Sequence, residues 1–520
     1  MLKHLVKEIV RQLLRSVNPE RAPASDDEKL FEQAKGCIEA GKTAEAREIL
    51  HRVIELNPNH ADSLYELGRI AMREGEIDAA IAWLAKATSV NSRAAHFYNT
   101  YGNLRQARGE LEEAARLYRE AISVNPDFAE AYANIGMVLC KKGETEAGLP
   151  FLRKAIEIGP RLYEAHNALG FVSLSQGNPD NAVASLNQAI ALKPDFAEGH
   201  NNLGLALQQI GRFDDAMASY RRALELKPDF TEAHSNLIHA LGFVPHADLA
   251  EQLAERRRWQ DRHVRSRRLN IDRQAIAADP HRKLRIGYVS ADFRRHSAAS
   301  GFGPVLLYYD RTQFEVICYS NSFHEDDITA RFRKSVTLWR NICEMPDDKV
   351  VRMIGEDGID ILVDLSGHSA GNRLLVFARK PAPLQVTAWG HATGTGLDTM
   401  DYLFSDEVTI PSEKRHYYSE EIIYLPCVMG YMPQAESPPL KILPALQNGY
   451  ITFGFFNNYA KLADDALNLW ARLLAEAPNS KILFKARELG SPGRQRERVS
   501  GRFIEAGVEV GRIRFLGATS

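Results

Sequence analysis

Small residues, glycines and prolines recur through the first half of the chain with a period of 34 residues. One glycine series comprises Gly68, Gly102, Gly136, Gly170 and Gly204, and a second comprises Gly41, Gly75, Gly109, Gly143, Gly177 and Gly211. Proline follows the same period at Pro58, Pro126, Pro160, Pro194 and Pro228, and Ser92 occupies the one position of this series without a proline. Because several residue types share one period, the pattern predicts a repeated structural unit.

Each unit is predicted to be a pair of helices. The first glycine lets the second helix approach closely, and the second glycine ends the first helix, where a left-handed backbone costs little. Proline closes the unit because it cannot continue a helix. Each pair buries only part of its apolar face, so stacking completes the core. The pattern resembles that of tetratricopeptide (TPR) repeats and predicts a superhelical solenoid over residues 27–242, with six repeats and a further partial one.

Asparagines recur in the first helix of the repeats and are candidates for a peptide-binding groove. Asn134, Asn202 and Asn236 occupy the same position of their repeats. Since an amide both donates and accepts hydrogen bonds, such a ladder suits an extended peptide backbone. Solvated polar positions would have the same spacing, so the residues by themselves leave both interpretations open.

The segment 243–282 is predicted to form a connecting helix and a linker. The charged helical stretch 249–269 carries Arg256, Arg257, Arg258, Arg262, Arg265, Arg267 and Arg268. Charge runs of this kind favour a solvated helix over an anion-binding site.

From residue 283 the pattern changes to alternating strands and helices. Strands are predicted at 284–293, 314–320, 357–367 and 384–390, with helical stretches between them. This alternation predicts a doubly wound parallel sheet, which we assign to a first lobe at 283–432. Ligands of such sheets bind at the carboxyl ends of the strands.

A second α/β lobe is predicted at 449–520, after a proline-rich linker at 433–448. Its strands are expected at 451–458, 481–486 and 512–517. The predicted fold class is therefore α plus α/β, a TPR superhelix joined to two Rossmann-like lobes. Three strands are few for a finished sheet, so the second lobe is expected to be incomplete.

Charge, cysteine spacing and the lengths of apolar stretches argue against several classes of protein. A formal net charge of −2 gives no overall attraction to nucleic acid. The five cysteines have no CxxC spacing, which predicts neither a zinc site nor disulfides and favours a reducing cytoplasm. The sequence has no apolar stretch of the roughly 18–20 residues that a bilayer requires. Residues 1–26 are predicted to form an amphipathic basic helix, and packing is favoured over contact with a membrane surface.

Three stretches after the repeats carry a more specific resemblance. They are LRIGYVSADFRRHS, DILVDLSGHSAGNRLLVFARKPAPLQVTAWGHATGTGLDTMDY and FGFFNNYAKLADDALNLWARLL. Together they resemble the protein O-GlcNAc transferase family, in its bacterial form with a short inter-lobe linker. The resemblance implies a GT-B glycosyltransferase fold and transfer of N-acetylglucosamine from UDP-GlcNAc to serine or threonine hydroxyls with inversion. It implies no metal and no cofactor.

The resemblance also implies roles for individual residues. His296 matches the active-site histidine of the motif DF-x-x-H, and a histidine side chain can take up or release a proton near neutrality. Lys461 matches the lysine that contacts the UDP diphosphate. Asn458 matches a neighbouring residue that contacts UDP.

A glycine-rich loop is expected near the sugar-phosphate. It matches the family at Gly390, Gly394 and Gly396, although HATGTG replaces the more usual aromatic–proline start. Further residues are expected to line the cleft or its loops: Asp292, His368 and His391. The family's later donor-binding histidine, aspartate and glycine–threonine loop do not occur before Ser520.

Two functions follow from these expectations. The first is a cytoplasmic transferase whose solenoid binds protein or peptide acceptors through the asparagine ladder, which the resemblance favours. The second is a non-catalytic TPR scaffold with a vestigial transferase domain, motivated by the missing donor loop. A transferase that uses another sugar or a non-protein acceptor is a weaker third option.

Overall fold

The computed structural model describes residues 25–244, 247–264, 282–390, 393–428, 430–431, 439, 441–490 and 492–517. The predicted helix at 1–26 lies almost wholly outside the described residues, and so does His391. The chain divides into two compact units, Met1–Ala168 and Leu169–Ser520.

Paired helices form the repeat region. They are α1 (Asp26–Glu39), α2 (Thr43–Leu56), α3 (Ala61–Glu74), α4 (Ile77–Val90), α5 (Ala95–Ala107), α6 (Leu111–Val124), α7 (Ala129–Lys141), α8 (Thr145–Ile158), α9 (Tyr163–Ser175), α10 (Pro179–Leu192), α11 (Ala197–Gln209), α12 (Phe213–Leu226) and α13 (Thr231–Leu241). A further helix, α14 (Leu249–His263), follows and corresponds to the predicted connecting helix.

The two glycine series act as the sequence predicts. A Cβ added to Gly102 would lie 2.6 Å from Cε1 of Tyr118, so this glycine permits the close approach of α5 and α6. Gly75 ends α3 with a φ of 77°, which is the left-handed backbone expected of the second series. The predicted helical repeats are confirmed.

A seven-stranded parallel sheet forms the first lobe. Its strands are β1 (Leu284–Ser290), β2 (Phe314–Ser320), β3 (Leu338–Asn341), β4 (Ile361–Asp364), β5 (Leu384–Thr387), β6 (Tyr402–Ser405) and β7 (Glu421–Tyr424). Their order is β3-β2-β1-β4-β5-β6-β7, with every pair parallel. The order reverses between β1 and β4, which is the switch point where such sheets bind ligands.

Short helices accompany this sheet. They are α15 (Ser297–Tyr308), α16 (Asp327–Ser335), α17 (Asp347–Glu356) and α18 (Leu374–Phe377). Apolar side chains from the strands and helices form two clusters of buried residues, as expected for a parallel sheet covered on both faces.

A three-stranded parallel sheet forms the second lobe. Its strands, in the order β10-β9-β8, are β8 (Ile451–Phe456), β9 (Ser480–Lys485) and β10 (Ile513–Leu516). The helices of this part are α19 (Pro444–Asn448), α20 (Asp464–Glu476) and α21 (Arg494–Glu505). The predicted fold class, TPR helices plus two parallel α/β sheets, is confirmed.

Three strands of the first lobe were not predicted. Strands β3, β6 and β7 have four residues each. Such short strands carry too few alternating positions for a period to be recognised. Their places in the sheet come from pairing with β2, β5 and one another.

The division into units differs from the predicted domains because the last repeats pack against the α/β part. Gln495 Nε2 donates to Asp180 Oδ2 of α10 at 2.8 Å. A Cβ added to Gly177 would lie 2.7 Å from Nε of Arg487, so this turn of the repeats contacts the second lobe directly. The final repeats and both lobes therefore form one compact unit.

Candidate active site

His296 follows β1 at the switch point of the first sheet and caps α15. Its Nδ1 accepts a hydrogen bond from the Ala298 N–H at 3.3 Å and lies 3.6 Å from Oδ2 of Asp292. The His296 side chain is 42% exposed, whereas that of Asp292 is 13% exposed. Ser290 Oγ accepts from the Asp292 N–H at 3.0 Å and fixes the turn. A solvent-accessible imidazole beside a buried carboxylate can hold and pass a proton.

The loops after β4 and β5 meet close to this point. A Cβ added to Gly390 would lie 2.6 Å from the backbone carbon of Ser366, so only glycine permits this approach. The Ser366 hydroxyl is buried and has no hydrogen-bond partner among the described residues. Gly390 is exposed. The predicted place of Gly390, at the carboxyl end of a strand, agrees with the structure.

The other two loop glycines are packing residues, which corrects their predicted role as donor contacts. Gly394 and Gly396 are both buried, with φ of 76° and 79°. A Cβ on Gly394 would meet Oε2 of Glu420 at 2.7 Å. A Cβ on Gly396 would meet Cβ of Arg256 in α14 at 2.5 Å. These glycines hold the loop against its neighbours.

His368 is fully buried, so the prediction that it lines the cleft is wrong. Its Nε2–H donates to the Thr395 carbonyl at 2.7 Å. The Ser235 hydroxyl lies 3.5 Å from Nδ1, and Trp259 Nε1–H donates to that hydroxyl at 3.1 Å. Burial lowers the pKa of His368 to about 3, so the imidazole is neutral and each hydrogen bond has a donor and an acceptor. The residue joins α13 and α14 to the loops of the first sheet.

A cavity of about 440 Å³ lies at the carboxyl ends of β8 and β9 in the second sheet. It is lined by Phe456, Asn457, Asn458, Lys485, Ala486, Arg487 and Glu488. Lys485 and Arg487 carry positive charge and Glu488 carries negative charge, so the lining has an excess of one positive charge, which suits an anionic ligand. The sequence predicted Asn458 but not Lys485 or Arg487, although two basic residues at the carboxyl end of a strand were a readable signal.

Asn458 and Lys461 belong to one short turn beyond β8. Asn458 Oδ1 accepts from the Ala460 N–H at 2.9 Å and caps the 3-10 turn Tyr459–Lys461. The Lys461 N–H donates to the Asn458 carbonyl at 3.0 Å, and the side chain of Lys461 is exposed. Asn458 thereby positions Lys461 as well as lining the cavity.

The predicted residues are brought together in two groups rather than one. Asp292, His296 and Gly390 lie at the carboxyl end of the first sheet, and Asn458 and Lys461 lie at that of the second. A second cavity of about 260 Å³ is lined by Thr231, Asn321, Asp347, Asn372, Arg373, Leu374 and Leu375. Neither of these two cavities in the described part of the chain is lined by His296 or Lys461.

The asparagines of the repeats contact one another between successive repeats. Asn134 Nδ2 donates to Oδ1 of Asn99 at 2.9 Å and to Oδ1 of Asn103 at 3.1 Å, so these bonds occupy its donor nitrogen and not its acceptor oxygen. Asn236 Nδ2 donates to Oδ1 of Asn201 at 2.9 Å.

The exposure of these side chains differs along the repeats. Asn134 and Asn202 are half-buried, but Asn236 is only 7% exposed. The prediction of an open groove position is therefore corrected for Asn236, because packing in the second unit covers it.

No helix within the described ranges is both long enough and apolar enough to cross a membrane.

Comparisons with known proteins agree with this architecture. The profile of glycosyl transferase family 41 matches residues 265–431, and tetratricopeptide repeat profiles match between residues 38 and 229. A probable UDP-N-acetylglucosamine–peptide N-acetylglucosaminyltransferase of Arabidopsis thaliana, SPINDLY, is 41% identical over 214 residues. That match covers 40% of this chain and 23% of the plant protein.

A more distant curated relative is the UDP-N-acetylglucosamine–peptide N-acetylglucosaminyltransferase of Caenorhabditis elegans. It is 32% identical over 146 residues, which cover 28% of this chain and 13% of that protein. The chain thus spans less than a quarter of the length of these two curated relatives.

The match to a solved structure covers a larger share of both chains than the matches to these two curated relatives do. An O-GlcNAc transferase variant of Thermobaculum terrenum aligns with a TM-score of 0.68 and 32% identity. The alignment covers 75% of this chain and 74% of that one, so it includes repeats as well as α/β lobes. With its TPR helices, its two parallel sheets and this match, the chain belongs to the O-GlcNAc transferase family.

Proposed function

We propose that the protein transfers N-acetylglucosamine from UDP-GlcNAc to serine or threonine hydroxyls of proteins, with inversion at the anomeric carbon. The observation that carries the proposal is the cationic cavity at the carboxyl ends of β8 and β9, in a member of the O-GlcNAc transferase family. Asn458, Lys485 and Arg487 line it, and Lys461 stands on the adjoining turn.

Positive charge in this region suits a nucleoside diphosphate. UDP acquires negative charge as the bond between the anomeric carbon and the phosphate oxygen breaks. Lys461 is a compact cation that stabilises this charge without transferring a proton. We assign Asn458 to the nucleotide side of the site, since it lines the cavity and holds the turn that carries Lys461.

His296 is proposed to take the proton of the acceptor. The acceptor oxygen attacks the anomeric carbon, UDP departs from the opposite side, and the hydroxyl proton passes to the imidazole. A neutral imidazole can accept at Nε2 only when its hydrogen is on Nδ1. Asp292, 3.6 Å from Nδ1, favours that tautomer, in competition with the Ala298 N–H.

The repeats are proposed to bind the acceptor protein. Half-buried amides at Asn134 and Asn202 can pair with an extended peptide backbone. We propose a cytoplasmic location, which is compatible with free cysteines at Cys37, Cys140, Cys318 and Cys343 in the described part of the chain. The proposed reaction uses UDP-GlcNAc as a substrate and assigns no part to a metal or a cofactor.

Nucleotide binding and sugar transfer test the proposal separately. Calorimetry with UDP should give binding that Lys461→Ala weakens at least about tenfold, because a charge-assisted contact to phosphate is lost. Labelled UDP-GlcNAc and candidate acceptor proteins should give transfer that His296→Ala reduces about a hundredfold or more. His296→Ala should leave UDP affinity close to that of the wild type.

Matched control variants test whether removal of any exposed lysine or histidine changes UDP binding or sugar transfer. Lys441→Ala and His324→Ala remove an exposed lysine and an exposed histidine elsewhere in the same unit and should change neither readout. A panel of nucleotide sugars that differ in base and in sugar tests the identity of the donor. The proposal is wrong if the wild type neither binds UDP nor transfers sugar, and transfer from another donor would correct the substrate.

A further inference from the structure

Two repeats contact the turns that flank the cavity at the carboxyl ends of β8 and β9. The turn between α9 and α10, in the fifth repeat, meets the 3-10 turn Arg487–Leu489 that follows β9. Helix α11, in the sixth repeat, packs against the 3-10 turn Tyr459–Lys461 that follows β8. The two turns also contact each other. The walls of the proposed donor site are therefore supported by the repeats.

The side chain of Arg487 lies between the cavity and the fifth repeat. It lines the cavity and is exposed, so its guanidinium is accessible to a ligand. Its stem crosses Gly177 so closely that a Cβ added there would lie 2.8 Å from Cδ and 2.7 Å from Nε. Since packed atoms prefer separations of about 3.5–4.0 Å, a methyl group at position 177 requires the arginine stem to move. Glycine thus leaves the space in which this stem lies.

A second connection holds the turn that begins at Arg487. Asp180 Oδ2, in the first turn of α10, accepts a hydrogen bond from Nε2 of the buried Gln495 at 2.8 Å. Gln495 lies in α21, and the next residue, Arg496, donates from Nε to the Leu489 carbonyl at 2.8 Å. Leu489 ends the same 3-10 turn. The fifth repeat is therefore linked to this turn through α21 as well as directly.

We infer that the fifth repeat positions Arg487 to bind phosphate in this cavity, with Gly177 and Asp180 as positioning residues. A guanidinium whose stem is already restrained loses less conformational freedom when it pairs with a phosphate group. The inference rests on the proposed function and deepens it. It gives the repeats a part in binding the diphosphate of the donor, besides their proposed part in binding the acceptor.

Inorganic pyrophosphate and UDP are the two probes, measured by calorimetry on the full chain. Arg487→Ala removes the guanidinium and should weaken both probes about tenfold, because a charge-assisted contact to phosphate is lost. Gly177→Ala keeps the guanidinium but displaces its stem, and it should weaken both probes about threefold or more.

The repeat itself supplies the matched control for Gly177→Ala. Gly211 occupies the same position one repeat later, with a φ of 77° against 75° at Gly177. A Cβ added to Gly211 would have no other part of the described chain within 4 Å, so Gly211→Ala introduces backbone strain alone. Both variants should unfold at a lower temperature than the wild type, but only Gly177→Ala should weaken pyrophosphate binding.

Asp180→Ala tests the second connection at a position where the backbone is helical. It removes the acceptor for Gln495 and should weaken pyrophosphate binding about two- to threefold. Asp214 occupies the same position one repeat later, in the first turn of α12, so Asp214→Ala is the control and should leave the affinity unchanged. Equal affinities of these two variants would contradict a link through α21.

A double-mutant cycle tests whether Gly177 acts through Arg487. In the Arg487→Ala background, Gly177→Ala should cause no further loss of pyrophosphate affinity, because the side chain that it displaces is already gone. A further loss as large as that in the wild type would mean that the effect is independent of Arg487, and the inference would be wrong.

The outcomes separate this inference from the proposed function. If Lys461→Ala weakens both probes but Gly177→Ala and Asp180→Ala bind them as their controls do, the inference is wrong and the proposed function stands. If pyrophosphate binding depends on Arg487 and Gly177 but UDP does not bind, the inference holds and the proposed donor is wrong. If the wild type binds neither probe, both fail.

Discussion

At the scale of single residues, hydrogen-bonding geometry separates histidines that sequence patterns treat alike. His296 is partly exposed and shares its Nδ1 between a backbone N–H and the Asp292 carboxylate. His368 is fully buried, and its two ring nitrogens are hydrogen-bonded inside the protein. His239 is oriented by Gln208. The first suits proton transfer, the second holds elements together, and the third joins two helices of the repeats, α11 and α13.

Asp292→Asn tests the tautomer assigned to His296. Loss of the carboxylate should favour the Ala298 N–H at Nδ1, which places the imidazole hydrogen on Nε2 and blocks proton uptake there. We expect kcat to fall about tenfold while UDP affinity and acceptor KM stay unchanged.

Asp327→Asn is the control, because it removes an exposed carboxylate that pairs with Arg295 at 2.8 Å nearby. Equal kcat values for Asp292→Asn and the wild type would contradict a positioning role for Asp292.

At the scale of elements, the loop 393–396 is held in two places. Gly396 packs against α14, and the Thr395 carbonyl accepts a hydrogen bond from His368. Gly396 lies directly on the backbone of Arg256. Arg256 is itself buried, and desolvation lowers its pKa to about 10. This contact leaves no room for a side chain at position 396. Packing therefore explains a glycine in a loop that the sequence analysis assigned to ligand binding.

Gly396→Ala should destabilise the second unit by at least about 2 kcal/mol, from backbone strain and overpacking together. Gly358→Ala is the control. Gly358 also has a positive φ, of 61°, but a Cβ there would meet only Nη1 of Arg285, at 3.4 Å. Gly358→Ala should lower the free energy of unfolding by about 1 kcal/mol. Chemical unfolding monitored by tryptophan fluorescence measures both, and equal costs would argue against tight packing at Gly396.

The neutral state of His368 gives a pH dependence of known sign. Its folded pKa of about 3 lies below the value of about 6.5 in an unfolded chain, so only the unfolded state takes up a proton between these values. The contribution of His368 to the free energy of unfolding should be fully present above about pH 6.5. Below that pH, the free energy of unfolding should fall by up to about 1.4 kcal/mol for each pH unit because of this residue.

The comparison of variants isolates this contribution. His368→Gln should unfold with a shallower dependence on pH between 6.5 and 5 than the wild type. His324→Gln, at an exposed position, should keep the slope of the wild type. If His368→Gln shows the same slope as the wild type, His368 is not a neutral buried group.

At the scale of the whole molecule, acceptor binding and donor binding are assigned to different sets of residues. Asn134 belongs to the unit Met1–Ala168, and the cavity at Asn458 belongs to the unit Leu169–Ser520. The division between units falls inside the repeats because Asp180 and Gly177 contact the second lobe.

Asn134→Ala should raise the KM for an acceptor peptide about three- to tenfold, because hydrogen bonds to the peptide backbone are lost. UDP affinity should be unchanged. Asn59→Ala, in the exposed turn between α2 and α3, is the control and should alter neither quantity. An unchanged KM for Asn134→Ala would contradict peptide binding by this asparagine.

The sequence by itself determined the repeats, the parallel sheets and the carboxyl-end positions of His296, Gly390 and Asn458. Each of these follows from local properties: helix periodicity, close packing at glycine, and alternation of strands with helices. The short strands β3, β6 and β7 could not be read in this way, because pairing with distant strands places them.

Only the tertiary structure decided which residues are buried and which of them lie close together. Burial of His368, Gly396 and Asn236, and the contact of α11 with the turn that carries Lys461, depend on segments far apart in the chain. Sequence spacing reports what a residue can do within its own element. Exposure, protonation and hydrogen-bond partners arise from neighbours that the fold brings together, and these decide its role.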